Sequence, residues 1–421
     1  MTPASATHDH GAKASWVVTL CWIAVILDGF DLVVLGALIP TMTGPAAPFM
    51  TGGEATFIST IGLVGMTLGA LSIGVATDRF GRRHALIWAV AAFSLLTALC
   101  GLAQTPTQLA LFRFLAGVGL GGCLPTAIAM VTEFSRGKAG RASTTVMTGY
   151  HVGAVATALL ALVLLPSVGW RGMFIAGAIP GLILVPLMLR HLAESPAYLL
   201  AQGRRAEAEG IARAHGIVLA EPVVGAPKAS IRTLFAPDML RTTIAIWVTS
   251  FMGLLLVYAL NSWLPALMVA AEYGLQRGLW LLLLLNLGAV CGLLVAGQVG
   301  DRIGLKRAAV IWFAAGAVLL AFLSWKMPVS LLYPAVFLTG CFVFSAQVLV
   351  YAYTAAHYPA GVRATAIGMS AGVGRLGAIA GPLIGGTLVS MGIGHPWGFY
   401  AFALVGLIGT LAMSMTAGRA R

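Results

Sequence analysis

Gly74-Val-Ala-Thr-Asp78-Arg79-Phe-Gly81-Arg82-Arg83 is the stretch that decides the fold, because a close copy of it stands in the second half of the chain. That copy reads Gly297-Gln-Val-Gly-Asp301-Arg302-Ile-Gly304-Leu-Lys306-Arg307. A second motif is repeated at nearly the same distance along the chain: Tyr150-His151-Val-Gly153-Ala-Val-Ala156 matches Gly374-Arg375-Leu-Gly377-Ala-Ile-Ala380. The two repeated motifs predict a chain made of two similar halves.

The composition around these motifs excludes a soluble enzyme. Of the 421 residues, 59% are hydrophobic and 9% are charged, whereas a soluble domain carries about 25% charged residues. A membrane protein built of helices remains, because backbone exposed to lipid must satisfy its hydrogen bonds internally. The net charge of +12 is spread over scattered cations, and the five cysteines form no CxxC pair. We therefore expect no nucleic-acid partner, no metal and no cofactor.

Apolar runs long enough to cross a bilayer occur twelve times. They fall at roughly 16–42, 55–76, 85–104, 107–132, 142–165, 171–190, 242–268, 278–299, 308–326, 329–353, 364–391 and 396–416. We expect an all-α polytopic membrane protein with six-helix bundles at 1–190 and 241–421, a central cavity and a cytoplasmic linker at 191–240. Most Lys and Arg residues fall on one side if both termini are cytoplasmic. Low charge and the Gly and Ala content favour a bacterial inner membrane.

Charged residues inside the spans are the best indication of function, because each costs at least ~2.5–3.5 kcal/mol at a helix centre. Asp28 and Asp31 share one helix face, and the rise per residue places them at a depth similar to Arg113, His151 and Arg375. Two acids on one face do not both ionise easily, so one carboxyl is expected to exchange a proton near neutral pH.

Arginine stays charged and presents a planar fork to a carboxylate. We therefore hypothesise that Arg375 binds an anionic substrate while Asp31, with Asp28, takes a coupled proton. Arg113 is a further substrate candidate, and a static Asp31–Arg113 ion pair that fixes helix packing is the alternative.

Other residues in the spans are candidates for the substrate site. His151 either contacts substrate or proton, or is a hydrogen-bonded packing residue. Asn261 and Gln347 are amides suited to a ring hydroxyl, and Phe30 either lines a cavity for an aromatic ring or packs. Glu133, near Arg141 at the end of the fourth span, forms either a gate salt bridge or a solvated helix end.

Two motifs are similar to those of a known superfamily. Gly-x-x-x-Asp-Arg-x-Gly-Arg-Arg with its copy, and Arg113-x-x-x-Gly117-x-Gly119-x-Gly121, resemble the signatures of major facilitator transporters. The resemblance implies two six-helix repeats and a cytoplasmic latch in the motif loops. Its residues would be Asp78, Arg79, Arg83, Asp301, Arg302 and Arg363, and loops made positive only to set topology are the alternative.

Within the superfamily, Leu27-Asp28-Gly29-Phe30-Asp31-x-x-x-x-Gly36 and Gly374-Arg375-Leu-Gly377-Ala-Ile-x-Gly381-Pro382 resemble the aromatic acid:proton symporters. The resemblance implies a monomeric carrier that imports a small aromatic carboxylate, such as a hydroxybenzoate, with protons by alternating access.

A carrier of another organic anion or a sugar is the alternative within transport. A drug:proton antiporter is less well supported, because its span-5 motif lacks its proline here. A transporter-like sensor would need an output domain longer than the linker. A membrane enzyme would need a nucleophile–base set or a cofactor loop, and the sequence shows neither, nor a Walker loop for ATP.

Overall fold

The computed structural model describes residues 3–44, 48–135, 139–217, 219, 234–358 and 360–417. At 3–15, 139–144, 238, 360, 361 and 364 it describes the backbone alone. Every regular element in this part of the chain is helical. The helices are α1 Pro3–Met42, α2 Gly52–Phe80, α3 Arg82–Leu102, α4 Pro106–Phe134, α5 Ala139–His191, α6 Pro196–Ala201, α7 Arg205–His215, α8 Pro237–Ala270, α9 Leu275–Ile303, α10 Leu305–Phe322, α11 Val329–His357, α12 Ala360–Ser390 and α13 Phe399–Ser414, the last preceded by a π-helical turn at Gly394–Gly398.

Eleven apolar helices in the described part of the chain are long enough to cross a membrane, and α5 is long enough to cross twice. Its apolar stretch Thr145–His191 has 47 residues, or about 70 Å of helix against a bilayer core of about 30 Å. Gly169 interrupts the helix with φ 65° and ψ −177°. Thr157 and Gly177, on opposite sides of this break, both contact Phe30 of α1, so the two arms of α5 lie side by side. The twelve predicted spans are confirmed.

The contacts divide the chain into two compact units. Unit 1 consists of 1–34 and 61–224, and unit 2 consists of 35–60 and 225–421. In unit 1, α3 packs against α4 and α5; in unit 2, α8 packs against α12 and α13, and α9 against α11.

Glycine brings corresponding helix pairs into backbone contact in each unit. In unit 1, a Cβ added at Gly29 of α1 would overlap the carbonyl of Tyr150 on α5, and one at Gly153 would overlap the carbonyl of Ile26. In unit 2, a Cβ at Gly377 of α12 would overlap the carbonyl of Phe251 on α8. These crossings hold the acid-bearing segment of α1 against α5 and the arginine-bearing segment of α12 against α8.

Candidate functional site

Asp31 is the centre of a buried hydrogen-bonded cluster in unit 1. Its Oδ2 accepts a hydrogen bond from Nη1 of Arg113 at 2.8 Å, and Nη2 of Arg113 donates to the backbone carbonyl of Asp31 at 3.1 Å. The hydroxyl of Thr97 donates to Oδ1 of Asp31. The exposed fractions of Asp31, Thr97 and Arg113 are 1%, 2% and 6%. Helices α1, α3 and α4 therefore meet at one carboxylate whose two oxygens are both hydrogen-bonded.

The structure thus contains the Asp31–Arg113 ion pair that the sequence offered as an alternative to substrate binding by Arg113. Desolvation offsets much of the attraction within a buried pair, so the pair by itself is weak evidence for a purely stabilising role. Substrate binding by Arg113 remains a prediction.

Asp28 lies one turn before Asp31 on α1 and is fully buried. Beside it, Gly29 lies against the carbonyl of Tyr150 on α5. The Tyr150 ring contacts the half-buried imidazole of His151 edge-on, with ring centroids 5.2 Å apart. The α1–α5 crossing therefore brings His151 to the segment of α1 that carries both acids.

Phe30 occupies a packed position in unit 1. Its side chain is 5% exposed and its ring lies against Gly177 in the second arm of α5. The backbone carbonyl of Phe30 accepts a hydrogen bond from the hydroxyl of Thr157 at 3.2 Å. These contacts are the ones expected if Phe30 is a packing residue. A role of Phe30 in a substrate site remains a prediction.

Arg375 of α12 differs from Arg113, because its side chain makes no ion pair or hydrogen bond with any residue that the structure describes. Its side chain is half-buried, and Tyr351 of α11 is its electrostatic neighbour. Gly368 and Gly372 precede Arg375 on the same helix face, and a Cβ at either glycine would meet no atom within 4 Å. A permanent cation thus stands next to open space in unit 2.

The two predicted amides lie in separate polar contacts of unit 2. Nε2 of Gln347 donates to Oγ of Ser250 at 3.3 Å, and that hydroxyl lies 2.5 Å from Oγ of Ser370. Asn261 is 1% exposed, and its Oδ1 accepts a hydrogen bond from Nδ2 of Asn286 at 3.1 Å. The side chain of Gln347 also interacts with the hydroxyl of Tyr351. Nδ2 of Asn261 is buried without a hydrogen-bond partner among the described residues, so Asn261 retains one unused polar atom.

The loop between α2 and α3 is held by Glu194, which follows α5. Gly81 turns the chain there with φ 87°, and a Cβ at this position would overlap the Glu194 carboxylate. Oε1 of Glu194 accepts a hydrogen bond from the backbone N–H of Arg83 at 2.9 Å, in the first turn of α3. A carboxylate at this end of a helix is favoured by the unpaired N–H groups and the helix dipole. The acceptor at the N-terminus of α3 is therefore Glu194, which lies outside the motif.

Glu133 forms an ion pair with Arg82, the residue next to Arg83 in the motif. Its Oε2 also accepts a hydrogen bond from Oγ of Ser195 at 2.6 Å. The guanidinium of Arg83 donates to the carbonyl of Leu189 at 2.6 Å. The first motif loop, the end of α4 and the end of α5 are thus joined within unit 1.

The remaining latch candidates have fewer contacts. Asp78 and Arg79 accept hydrogen bonds through their backbone carbonyls, from Gln202 at 3.4 Å and from Tyr198 at 3.3 Å. In unit 2, the exposed side chains of Asp301, Arg302 and Arg363 make no hydrogen bond or ion pair with other described residues. The side chain of Arg141 lies outside the described residues.

Outside the spans, two exposed carboxyl groups have shifted pKa values. The hydrogen bond from Arg204 lowers the pKa of Glu207, and the hydrogen bond from Lys326 lowers the pKa of Glu272. Exposed pairs of this kind contribute little to stability, and they form no part of the candidate site.

Comparison with known proteins decides the family. The chain matches the family model of the Major Facilitator Superfamily over residues 21–308 and 269–419. This protein belongs to the Major Facilitator Superfamily. Its members are transporters, so the chain is a multi-pass membrane transporter and not an enzyme.

The chain is also similar to curated members of this superfamily over nearly its full length. It is 34% identical to the benzoate transport protein of Acinetobacter baylyi, covering 94% of this chain and 88% of that protein. It is 33% identical to the gallate transporter of Pseudomonas putida, covering 97% and 93%, and 35% identical to the gentisate transporter of Corynebacterium glutamicum, covering 94% and 86%. The resemblance to aromatic acid transporters is confirmed.

Solved structures show the same fold at low sequence identity. The xylose transporter XylE from E. coli in its inward open conformation aligns with a TM-score of 0.76 at 16% identity, covering 96% of each chain. The nucleoside transporter NupG aligns with a TM-score of 0.74 at 15% identity, covering 96% of this chain and 100% of that one. The twelve-helix major facilitator fold is thereby confirmed.

Several residues of the site region are not among the candidates predicted from the sequence. Thr97, Ser250, Ser370 and Asn286 are ordinary polar residues in helices, and nothing in their spacing marks them. Arg82 and Glu194 could have been predicted from the sequence. Arg82 lies in the repeated motif, and Glu194 begins the Glu194-Ser195-Pro196 element that follows the sixth span.

Proposed function

We propose that this protein is a proton-coupled symporter that imports an aromatic carboxylate by alternating access. Its relatives are named as transporters of benzoate, gallate, gentisate and 4-hydroxybenzoate. These four compounds share an aromatic ring with a carboxylate attached and differ in ring hydroxyl groups. The shared substrate chemistry is therefore a carboxylate on a ring.

The observation that carries this proposal is the unpaired Arg375 in a membrane-spanning helix. A charge within a span is costly unless it has a use, and a guanidinium binds a carboxylate with two parallel hydrogen bonds. The open space beside Gly368 and Gly372 leaves room for a ligand on the same helix face. We assign substrate carboxylate binding to Arg375, with Gln347 and Asn261 as candidates for ring hydroxyl groups.

Proton coupling is assigned to Asp31, with Asp28. Both acids are buried in α1, and Arg113 of α4 is the ion-pair partner of Asp31. Protonation of Asp31 would weaken this pair, so binding a proton changes a contact between α1 and α4. Such a change is what coupling requires, because a ligand shifts a conformational equilibrium only by interacting differently with the two states.

The remaining assignments follow the charge pattern and the repeat. We propose a monomer in a bacterial inner membrane, with both termini in the cytoplasm and with bundles at 1–190 and 241–421 joined by the linker 191–240. The contacts of Glu133, Arg83 and Glu194 then lie on the cytoplasmic side. We propose that they act as a gate with Asp78, Arg79 and Arg141, and that Asp301, Arg302 and Arg363 serve the second half.

Uptake into proteoliposomes tests the substrate assignment. We expect saturable uptake of labelled benzoate, 4-hydroxybenzoate or gentisate under an inward pH gradient. Arg375→Gln should abolish it, and Arg375→Lys should reduce kcat/KM at least about tenfold, because an ammonium lacks the planar fork. Arg277→Gln, which removes an exposed arginine of unit 2 that has no proposed role, is the matched control.

Protein-free liposomes must be measured in parallel, because neutral benzoic acid crosses bilayers without a carrier. Full uptake by the Arg375→Gln protein, or no uptake of any aromatic acid by the wild type above the protein-free signal, would contradict the proposal.

A further inference from the structure

Thr97 is a polar residue in the middle of α3 that the sequence did not mark. Its side chain is 2% exposed, and its hydroxyl donates to Oδ1 of Asp31. The other carboxylate oxygen is held by Arg113. Asp31 therefore has two side-chain partners from two different helices, one charged and one neutral.

The two partners respond differently when Asp31 gains a proton. A guanidinium has only donors, so Arg113 matches the charged carboxylate and has no acceptor for a carboxylic acid proton. A hydroxyl is both donor and acceptor and can rotate, so Thr97 can donate to the carboxylate and then accept from the acid without moving its backbone. Of the two described side-chain partners of Asp31, Thr97 satisfies both protonation states and Arg113 satisfies only the charged one.

We propose that Thr97 is a positioning residue for proton coupling, which holds the side chain of Asp31 in both of its protonation states and sets the pH at which the coupled proton is released. This inference rests on the proposed function, because it takes Asp31 as the proton carrier. Hydrogen bonds to a charged group are stronger than those to a neutral group. Loss of the hydroxyl therefore disfavours the carboxylate more than the acid, and release requires a higher pH.

Several other described groups near Asp31 can titrate or carry charge. They include Asp28 on the same helix, Cys100 on α3 and Arg113 on α4, and α5 brings Tyr150 and His151 against the neighbouring Gly29. A substitution at Thr97 leaves all of them in place. A change in the pH profile would then report on the hydroxyl of Thr97.

The test compares two transport modes of proteoliposomes carrying Thr97→Val, Thr97→Ala or Thr97→Ser. Net uptake driven by a pH gradient requires release of the proton inside, whereas exchange of labelled for unlabelled 4-hydroxybenzoate does not. We expect the Val and Ala proteins to keep exchange but lose most net uptake at neutral internal pH. Net uptake should recover when the internal pH is raised by about one unit, and Thr97→Ser should behave as wild type.

Ser94→Ala is the matched control, because Ser94 is a buried hydroxyl on the same helix that lies against Gly181. It should leave the pH profile unchanged. An unaltered profile in the Val and Ala proteins, or a parallel loss of exchange and net uptake without recovery at high internal pH, would overturn the inference. Absence of 4-hydroxybenzoate uptake by the wild type would instead count against the proposed function.

Discussion

Arg113 and Arg375 are both arginines within spans, yet their surroundings differ. Arg113 is 6% exposed and donates twice to Asp31, whereas Arg375 is half-buried and its side chain makes no ion pair or hydrogen bond with a described residue. Removing one member of a buried pair leaves an uncompensated charge, while removing a cation next to open space does not. The two positions should therefore give different phenotypes when substituted.

We predict that Arg113→Gln destabilises the protein, because the buried carboxylate of Asp31 then lacks its counter-charge. The expected loss is about 3–5 kcal/mol, measured as thermal or denaturant unfolding in detergent. Arg375→Gln should change stability by much less.

The double variant Asp31→Asn with Arg113→Gln serves as the control, because it removes both charges. Its stability should exceed that of Arg113→Gln alone. An equal loss of unfolding free energy in Arg113→Gln and Arg375→Gln would contradict the prediction that the Asp31–Arg113 ion pair makes Arg113 the more sensitive position.

How much of the site the sequence predicts depends on how unusual each residue is in its surroundings. Asp28, Asp31, Arg113 and Arg375 are identifiable because charge inside an apolar run is rare and costly. Thr97 and Ser250 are not, since hydroxyl residues are common in membrane helices and only the fold shows what they contact. The Asp31–Arg113 contact joins residues far apart in sequence. Their similar depth in the membrane was compatible both with an ion pair and with a substrate site.

At the scale of helices, the glycines of α12 are of two kinds: some pack against a neighbouring helix, and others lie next to open space. Gly377 lies against the carbonyl of Phe251 on α8, while Gly372 has no atom within reach of an added Cβ. Both are near Arg375 on one helix, so they form a matched pair for testing helix packing.

We predict that Gly377→Ala lowers the melting temperature in detergent, because its methyl group would force α12 away from α8. Gly372→Ala should be neutral or slightly stabilising, since alanine favours a helix over glycine by about 1 kcal/mol. Equal melting temperatures for the two variants would contradict the close contact of α8 and α12.

Glu194 provides a second test at this scale. Its carboxylate accepts from the first turn of α3 and lies 3.6 Å from Nδ1 of His84. We predict that Glu194→Ala costs about 1 kcal/mol of stability through loss of this cap. Glu194→Gln should cost less, because an amide oxygen still accepts a hydrogen bond.

Glu209→Ala is the control for Glu194→Ala, since Glu209 forms an exposed pair with Arg205 and such pairs contribute little. A loss of stability as large in Glu209→Ala as in Glu194→Ala, by thermal unfolding, would argue against a specific cap.

The spans themselves were predictable, because long apolar runs define membrane helices almost by composition. The break between the fifth and sixth spans was also visible as a gap at 166–170, and the structure places it at Gly169. The cap by Glu194 was not predictable, since it depends on where the end of α5 meets the start of α3.

At the scale of the whole molecule, the repeat predicts two similar halves, and the structure shows corresponding helix pairs, α1 with α5 and α8 with α12, in glycine-mediated contact. The contacts also group residues 35–60, at the ends of α1 and α2, with 225–421. Within that unit, Gly36 lies against the backbone of Asn261. A sequence repeat carries no information on this grouping, because it depends on contacts distant along the chain.

The two halves also differ in their motif loops. The first is joined to Glu194 and Glu133, whereas Asp301 and Arg302 of the second are exposed. The copies in sequence are therefore not equivalent in contacts, and the second half has no counterpart of Glu194 at its loop within the described residues.

The most direct test of the proposed coupling is concentrative uptake of a labelled aromatic acid by proteoliposomes under an inward pH gradient, compared between wild type and Asp31→Asn. Wild type should accumulate the acid above the level in protein-free liposomes. Asp31→Asn should lose this accumulation but keep exchange of labelled for unlabelled acid across the membrane. Gradient-driven accumulation by Asp31→Asn equal to that of wild type would contradict the assignment of Asp31 as the proton carrier.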